Sequence, residues 1–94
     1  MTTTVVDSPD TSRFELVIDG ETAGYATYEI NGNSIAFTHT VVDPDRRENG
    51  LGTRLVTDAL DRVRSGTSYR VVAVCPFVAD FMEKNPSYQD LLER

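Results

Sequence analysis

Two glycines placed two residues apart mark the stretch of this chain that most clearly invites chemistry, DRRENGLGTRL at 45–55. Gly50 and Gly52 stand behind the pair Arg46 and Arg47, at the point where an apolar stripe of helical spacing begins. A helix N-terminus presents unpaired N–H groups and the positive end of the helix dipole, and glycines there let a phosphate approach the backbone. The stretch is therefore a candidate phosphate loop, although a turn with a glycine N-cap explains the spacing equally well. It lacks the Gly-Lys-Ser/Thr of a Walker loop and the third glycine of the dinucleotide fingerprint.

Two other side chains could take part in a reaction. Cys75 is the only cysteine and directly precedes Pro76, where a strand gives way to a helix. A thiol at a helix N-terminus can be reactive, whereas a lone cysteine is more often a small buried apolar residue. His39 is the only histidine. It can act as a general base or pack in the core, and alone it supports no metal site.

Alternation of apolar and polar residues predicts three antiparallel strands in the first half of the chain. They are separated by the turn signals DGE and NGN and comprise RFELVI at 13–18, TAGYATYEI at 22–30 and SIAFTHTVV at 34–42. In the third strand, every second residue from Ile35 to Val41, His39 among them, is expected on one face of the sheet.

The second half of the chain predicts a helix, a strand and a second helix. Apolar residues recur at helical spacing from Leu51 to Val63, and Gly66 follows as a C-cap. YRVVAV at 69–74 suits a buried strand, which a right-handed crossover places parallel to the third strand. Pro76 can open the second helix. The side chains expected to pack this helix on the core are Phe77, Val78, Phe81 and Met82.

Composition limits the class of protein. The 94 residues predict one domain at 13–94 after a flexible lead at 1–12, and 39% hydrophobic with 26% charged residues argues against disorder. No apolar run approaches the about 20 residues that cross a bilayer, so no membrane partner is expected. A net charge of -6 argues against nucleic acid and favours a basic partner such as an amine. One cysteine and no secretory signal pattern predict a cytoplasmic protein.

The glycine loop resembles the R-x-x-G-x-G pyrophosphate loop of the GNAT superfamily of N-acetyltransferases. The stretches HT at 39–40, CPFV at 75–78 and NPSY at 85–88 resemble its small YjdJ-type members, in which His-Pro-x-Tyr is the more usual form of the last. The resemblance spans Phe14 to Leu92. It implies a minimal GNAT fold of the α/β (α+β) class, with three antiparallel strands, a helix, a parallel strand and a second helix. Acetyl-CoA would lie in the splay between the two parallel strands.

The resemblance also implies roles for individual residues. The residues expected to bind acetyl-CoA (CoA) are Val41, Val42, Arg47, Glu48, Asn49, Gly50, Leu51, Gly52 and Thr53. Glu48 and Asn49 depart from the usual glycine or basic residue, which predicts modest affinity. Cys75 would protonate the departing thiolate or first accept the acetyl group, and His39 would take the proton of the amine. Tyr88 would be an alternative acid or a packing residue.

These implications lead to one principal hypothesis, an acetyl-CoA-dependent N-acetyltransferase that acts on an amine, either a protein lysine or a small amine. The alternative is a non-catalytic module that binds acetyl-CoA or CoA, because the chain has no residues to spare for the helices that build an acceptor pocket in larger members. The expected partners are acetyl-CoA and an amine that the sequence leaves unidentified, and the expected state is a monomer or weak dimer.

Overall fold

The computed structural model describes residues 2–43 and 50–94 of the chain. Its elements are β1 (Thr3–Ser8), β2 (Arg13–Ile18), β3 (Glu21–Asn31), β4 (Ser34–Val42), α1 (Leu51–Gly66), β5 (Arg70–Ala73) and α2 (Pro76–Lys84), with short 3-10 segments at Pro9–Thr11 and Pro86–Glu93. The five strands form one sheet in the order β1-β2-β3-β4-β5. The first four are antiparallel, and β5 lies parallel to β4. The α+β class is confirmed, and the predicted order of three antiparallel strands, a helix, a parallel strand and a second helix is found from β2 to α2.

Strand β1 occupies the stretch expected as a flexible lead. Val5 is buried, whereas Thr4 and Val6 on either side of it are exposed, which fits an edge strand with one face on the core. Two arginines of α1 reach across to this strand: Arg54 donates to the carbonyl oxygen of Thr3 at 3.1 Å, and Arg62 donates to that of Val5 at 2.6 Å. These bonds tie the N-terminal strand to the helix and occupy carbonyl groups of a sheet edge. The sequence therefore holds four antiparallel strands before α1 instead of three.

Both helices pack on the same face of the sheet. The side chains that α1 buries are Leu55, Val56, Ala59, Leu60 and Val63, and those that α2 buries are Val78, Phe81 and Met82. They join one core with alternate residues of the strands, in which the rings of Phe14, Tyr28 and Phe37 contact one another. Within the part of the chain that the structure describes, no helix covers the other face, which we call the open face. The sheet thus has one dry side and one side toward solvent, as antiparallel sheets commonly do.

A β-bulge in β4 changes which side chains face the helices. Tyr28 of β3 opposes Phe37, but the next residue of β3 toward the N-terminus, Thr27, opposes His39, so Thr38 is an extra residue in β4. The hydroxyl groups of Thr38 and Thr27 lie 2.7 Å apart and hold the bulge. Because side chains alternate along a strand, one inserted residue reverses the faces of all residues beyond it.

The expectation that Ile35 and His39 share a face is therefore wrong. Ile35 is buried under the helices, whereas His39 is exposed on the open face. Val41 lies beyond the bulge and is exposed on the same side as His39. Thr40 and Val42 turn toward the helices instead. Strict alternation in the sequence cannot show this, since a bulge leaves no gap in the apolar pattern.

The C-terminal segment Pro86–Glu93 packs on β5 and α2, and its side chains also reach α1. Leu91 is fully buried in the core, and Arg64 of α1 forms an ion pair with Asp90 at 2.9 Å. Arg94 donates to the carbonyl oxygens of Thr67 at 2.8 Å and Arg64 at 3.1 Å. These carbonyls belong to the end of α1, where backbone acceptors lack helical partners. The C-terminal residues thus fix the C-terminal end of α1 and do not contact its N-terminal end at Leu51.

Candidate functional site

A cleft opens where β4 and β5 part. Their ladder ends with the pair Phe37 and Ala73, after which β4 continues to Val42 while the chain leaves β5 for α2. The cleft has a volume of about 440 Å³ and is lined by Thr40, Val42, Gly50, Leu51, Gly52, Thr53 and Phe77. It therefore joins the carboxyl end of β4 to the N-termini of both helices. Ligands of open α/β sheets bind at the carboxyl ends of strands, so this is the expected place for a site.

Gly50 opens α1 in a backbone conformation that suits glycine. Its φ is +74°, in the left-handed region, and it is the N-cap of the helix. No side chain within residues 2–43 and 50–94 caps this end, and the first turn carries no acidic residue. The N–H groups of Leu51, Gly52 and Thr53 belong to the first turn, where a helix offers unpaired donors and a positive dipole end. These residues fit an anionic group such as a pyrophosphate.

Gly52 has a different reason to be glycine. Its backbone is helical, so conformation does not require it. A Cβ built on Gly52 would lie 3.0 Å from Cζ of the Phe77 ring, closer than ordinary carbon contacts. The ring therefore occupies the place that a side chain at Gly52 would take. Gly50 is therefore required by the backbone conformation, whereas Gly52 is required by the space that the Phe77 ring occupies.

Phe77 is a residue of the cleft that the sequence reasoning assigned to the core. Its side chain is 43% exposed, and it lines the cleft, whereas Val78, Phe81 and Met82 of the same helix are buried as predicted. Phe77 lies in the first turn of α2, two residues after Cys75. The sequence signal that could have identified Phe77 as a cleft residue is an aromatic side chain directly after the carboxyl end of a buried strand.

Cys75 lies behind the cleft as the N-cap of α2. Its side chain is 5% exposed, and its thiol donates to the hydroxyl oxygen of Thr40 at 3.5 Å. Burial raises the pKa of the thiol, but stabilisation of the thiolate by the Thr40 hydroxyl and by the backbone at the start of α2 outweighs the effect of burial. The pKa of Cys75 is therefore below its ordinary value, so the site favours an anionic sulfur.

Thr40 is a second site residue that sequence reasoning did not single out. It lines the cleft and contacts Cys75, and it does so because the bulge at Thr38 turns it toward the helices. Alternation from Phe37 would have placed it on the open face. The sequence pair HT at 39–40 contained the residue, but the pattern directed attention to His39.

Gly24 sets the position of the end of β4. It is buried in β3 opposite Val42, and a Cβ at this position would lie 2.6 Å from the carbonyl oxygen of Val41 and 3.2 Å from Cα of Val42. Real Cβ atoms do not approach a backbone so closely, so any side chain at Gly24 would displace the strand end beside the cleft. A glycine inside a strand pattern signals such an approach, and the signal was present in TAGYATYEI.

The structure brings together part of the predicted site. Val42, Gly50, Leu51, Gly52 and Thr53 line the cleft, and Cys75 lies against it through Thr40. The side chains of His39 and Val41 lie on the open face. The predicted cofactor residues Arg47, Glu48 and Asn49 lie outside the described residues. Tyr88 contacts the Phe81 ring and donates to Asp61 at 2.8 Å, away from the cleft, which favours the packing role.

Other classes of site find no support among the residues described. These residues contain no group of three or more His, Cys, Asp or Glu side chains that could hold a metal ion. None of the described helices is long and apolar enough to cross a membrane.

Comparison with known proteins agrees with the geometry of the cleft. The model of the GCN5-related N-acetyl-transferase family matches residues 13–91, which is most of the chain. No curated protein matches the sequence. The matched range includes β2 to β5, both helices and every residue that lines the cleft. The chain therefore belongs to the GCN5-related N-acetyltransferase family, in agreement with the resemblance of its glycine loop.

Proposed function

We propose that this chain transfers the acetyl group of acetyl-CoA to an amine. The observation that carries the proposal is the cleft between the diverging strands, which has the N-terminus of α1 on one side and the pair formed by Thr40 and Cys75 on another. A helix N-terminus that lines the cleft and a sulfur directly behind it suit a ligand that has a diphosphate at one end and a thioester at the other. Membership of the family supports acetyl transfer in general.

The residues present fit this ligand. The first-turn N–H groups of Gly52 and its neighbours would hold the pyrophosphate, and the backbone of Val41 and Val42 would pair with the pantetheine arm. We propose that Arg47, Glu48 and Asn49 complete the loop. When bound, acetyl-CoA would supply an acetyl group activated as a thioester. Glu48 stands two residues before Gly50 in the sequence and adds a negative charge to a loop proposed to bind a pyrophosphate, so modest affinity is part of the proposal.

Cys75 is proposed to hold the proton that a departing thiolate needs, or to act first as the nucleophile. Thr40 suits both roles, because its hydroxyl can accept a hydrogen bond from the thiol and donate one to the thiolate. The lowered pKa of Cys75 increases the thiolate fraction near neutral pH and so keeps the nucleophilic route open. The presence or absence of an acetyl group on Cys75 distinguishes the two routes.

His39 is proposed to remove a proton from the incoming amine. It is exposed on the open face and is the residue directly before Thr40 on β4. An amine that reaches the strands from the open face would meet the imidazole on the side opposite the cleft lining. Imidazole is the side chain that most often serves as a general base. Because no described element builds a closed acceptor pocket on this face, the proposed acceptor is a protein lysine or a small amine.

The alternative is a module that binds acetyl-CoA or CoA without catalysis. The separation of His39 and Cys75 on two faces of the sheet is the observation that favours it. In either case we propose that the chain works in the cytoplasm as a monomer or weak dimer.

The test is to incubate the chain with acetyl-CoA and a lysine peptide, an α-amino peptide or a polyamine, and to weigh both acceptor and chain by mass spectrometry. Acetylation of an acceptor above the rate seen without the chain supports the enzyme, and the variants Cys75→Ser and His39→Gln locate the chemistry. Binding of acetyl-CoA without transfer to any acceptor supports the module. Absence of binding contradicts both.

A further inference from the structure

We infer that Phe77 is a positioning residue that sets the width of the acetyl-CoA cleft, and that Gly52 is glycine in order to seat the Phe77 ring. The inference rests on the proposed function, because it concerns the cleft in which acetyl-CoA is proposed to bind. It assigns to Gly52 a task other than contact with a phosphate.

Phe77 spans the cleft from one functional end to the other. Phe77 lies in the first turn of α2, of which Cys75 is the N-cap, and its ring lies against the first turn of α1 at Gly52. The side chain lines the cleft together with Thr40 and Val42 and is partly exposed there. The ring is therefore a wall of the cleft between the sulfur and the N-terminus of α1.

The space over Gly52 is filled by this ring. A built Cβ would lie 3.0 Å from Cζ, 3.5 Å from Cε2 and 3.7 Å from Cε1 of Phe77. A methyl group at residue 52 would push the ring, and the exposed side toward which the ring can yield is the cleft. The contrast with Gly50 is direct, because a Cβ there would meet nothing within 4 Å. Steric exclusion by Phe77 thus applies to Gly52 alone of the two glycines.

Two explanations of Gly52 predict the same effect of a single substitution. If residue 52 must be glycine so that a phosphate can approach the backbone closely, Gly52→Ala weakens binding of acetyl-CoA whatever residue stands at position 77. If residue 52 must be glycine to leave room for the Phe77 ring, Gly52→Ala weakens binding of acetyl-CoA only while Phe77 is present. A double-mutant cycle separates the two, since residues in contact show non-additive effects.

The experiment measures the Kd of acetyl-CoA by isothermal titration calorimetry for wild type, Gly52→Ala, Phe77→Ala and the double variant, with thermal unfolding of each chain without ligand. We expect Gly52→Ala to raise Kd several-fold, and to leave Kd unchanged when added to Phe77→Ala. Because alanine favours a helix over glycine, the midpoint of Gly52→Ala without ligand should not fall. A weaker complex from an equally stable fold is a result that a merely structural role would not give.

Gly66→Ala is the matched control, since Gly66 ends the same helix and a Cβ there would meet nothing within 4 Å. It should change the unfolding midpoint without changing Kd. A Kd that rises equally in both backgrounds, or that Gly52→Ala leaves at the wild-type value, would overturn the inference. If the wild-type chain does not bind acetyl-CoA, the proposed function is overturned, and the inference with it. This outcome is recognised from the wild-type titration alone, before any variant is compared.

Discussion

The hydroxyl oxygen of Thr40 lies 3.5 Å from the sulfur of Cys75 and joins β4 to the start of α2 just beyond the point where the two parallel strands part. The contact exists because one extra residue, Thr38, turns Thr40 toward the helices. A bulge next to a site is a common way to redirect a side chain. Here it gives the sulfur a hydroxyl partner and sends His39 to the opposite face.

Replacing Thr40 by valine should raise the pKa of the Cys75 thiol. Burial already raises this pKa, and the Thr40 hydroxyl is a main cause that lowers it, so its loss leaves burial less opposed. The measurement is the alkylation rate of the thiol as a function of pH. Its midpoint should lie below that of an ordinary cysteine in wild type and move upward in Thr40→Val. Thr22→Val, at an exposed position of β3 away from the bulge, is the control and should leave the midpoint in place. An unchanged midpoint in Thr40→Val would show that the hydroxyl does not stabilise the thiolate.

Gly24→Ala should displace the end of β4. The added methyl would lie 2.6 Å from the carbonyl oxygen of Val41, and only a backbone shift relieves the clash. We expect the free energy of unfolding to fall by about 1–3 kcal/mol, as for other overpacked sites, and the affinity for acetyl-CoA to fall as well. Denaturant unfolding and calorimetry measure the two effects. If Gly24→Ala keeps the wild-type free energy of unfolding and the wild-type affinity for acetyl-CoA, the position of the end of β4 does not depend on its close contact with Gly24.

Gly50→Ala and Gly50→Asn should differ in stability although both add a side chain. At a φ of +74° alanine is strained by about 1 kcal/mol, whereas asparagine tolerates the left-handed region better. Nothing lies within 4 Å of a Cβ at this position, so steric clash does not enter the comparison. Chemical denaturation should place Gly50→Asn between wild type and Gly50→Ala. Equal stability of the two variants would contradict a left-handed N-cap.

His39→Gln should slow acetyl transfer while leaving the affinity for acetyl-CoA unchanged. His39 lies on the open face and does not line the cleft, so its loss affects the amine and not the cofactor. Loss of a general base typically lowers the rate by about a hundredfold or more. Initial rates with saturating acceptor, together with a titration of acetyl-CoA, separate the two effects. Full activity of His39→Gln would show that His39 is a surface residue without a catalytic role.

The order of elements could be predicted because each segment carries a clear period and the turns carry their own residues. The helical spacing from Leu51 to Val63 and the glycine turns in DGE and NGN lead directly to α1 and the hairpins. Strand β1 was missed because its polar residues and the Pro9 that follows it are typical of a flexible terminus. Its stability comes from a neighbouring strand and from Arg54 and Arg62, which are distant in sequence.

The residues of the candidate site whose place depends on backbone conformation could be predicted from the sequence. Those whose place depends on packing between elements could not. Gly50, Gly52 and Cys75 follow from residue type and position. The two glycines line the cleft, and Cys75 adjoins it. The roles of Thr40 and Phe77 depend on a bulge and on a ring that fits over a glycine. Neither leaves a periodic trace in the sequence, since both arise from contacts between separate elements.

The central claim is that acetyl-CoA binds in the cleft, and thermal unfolding with and without it tests that claim most directly. A ligand that binds only the folded chain adds about 2.7 kcal/mol at a concentration about a hundred times its Kd. For a domain of this size, the midpoint should then rise by several degrees, and bulky residues at Gly50 and Gly52 should abolish the rise. An unchanged midpoint of the wild-type chain at millimolar acetyl-CoA would contradict the account, both as enzyme and as binding module.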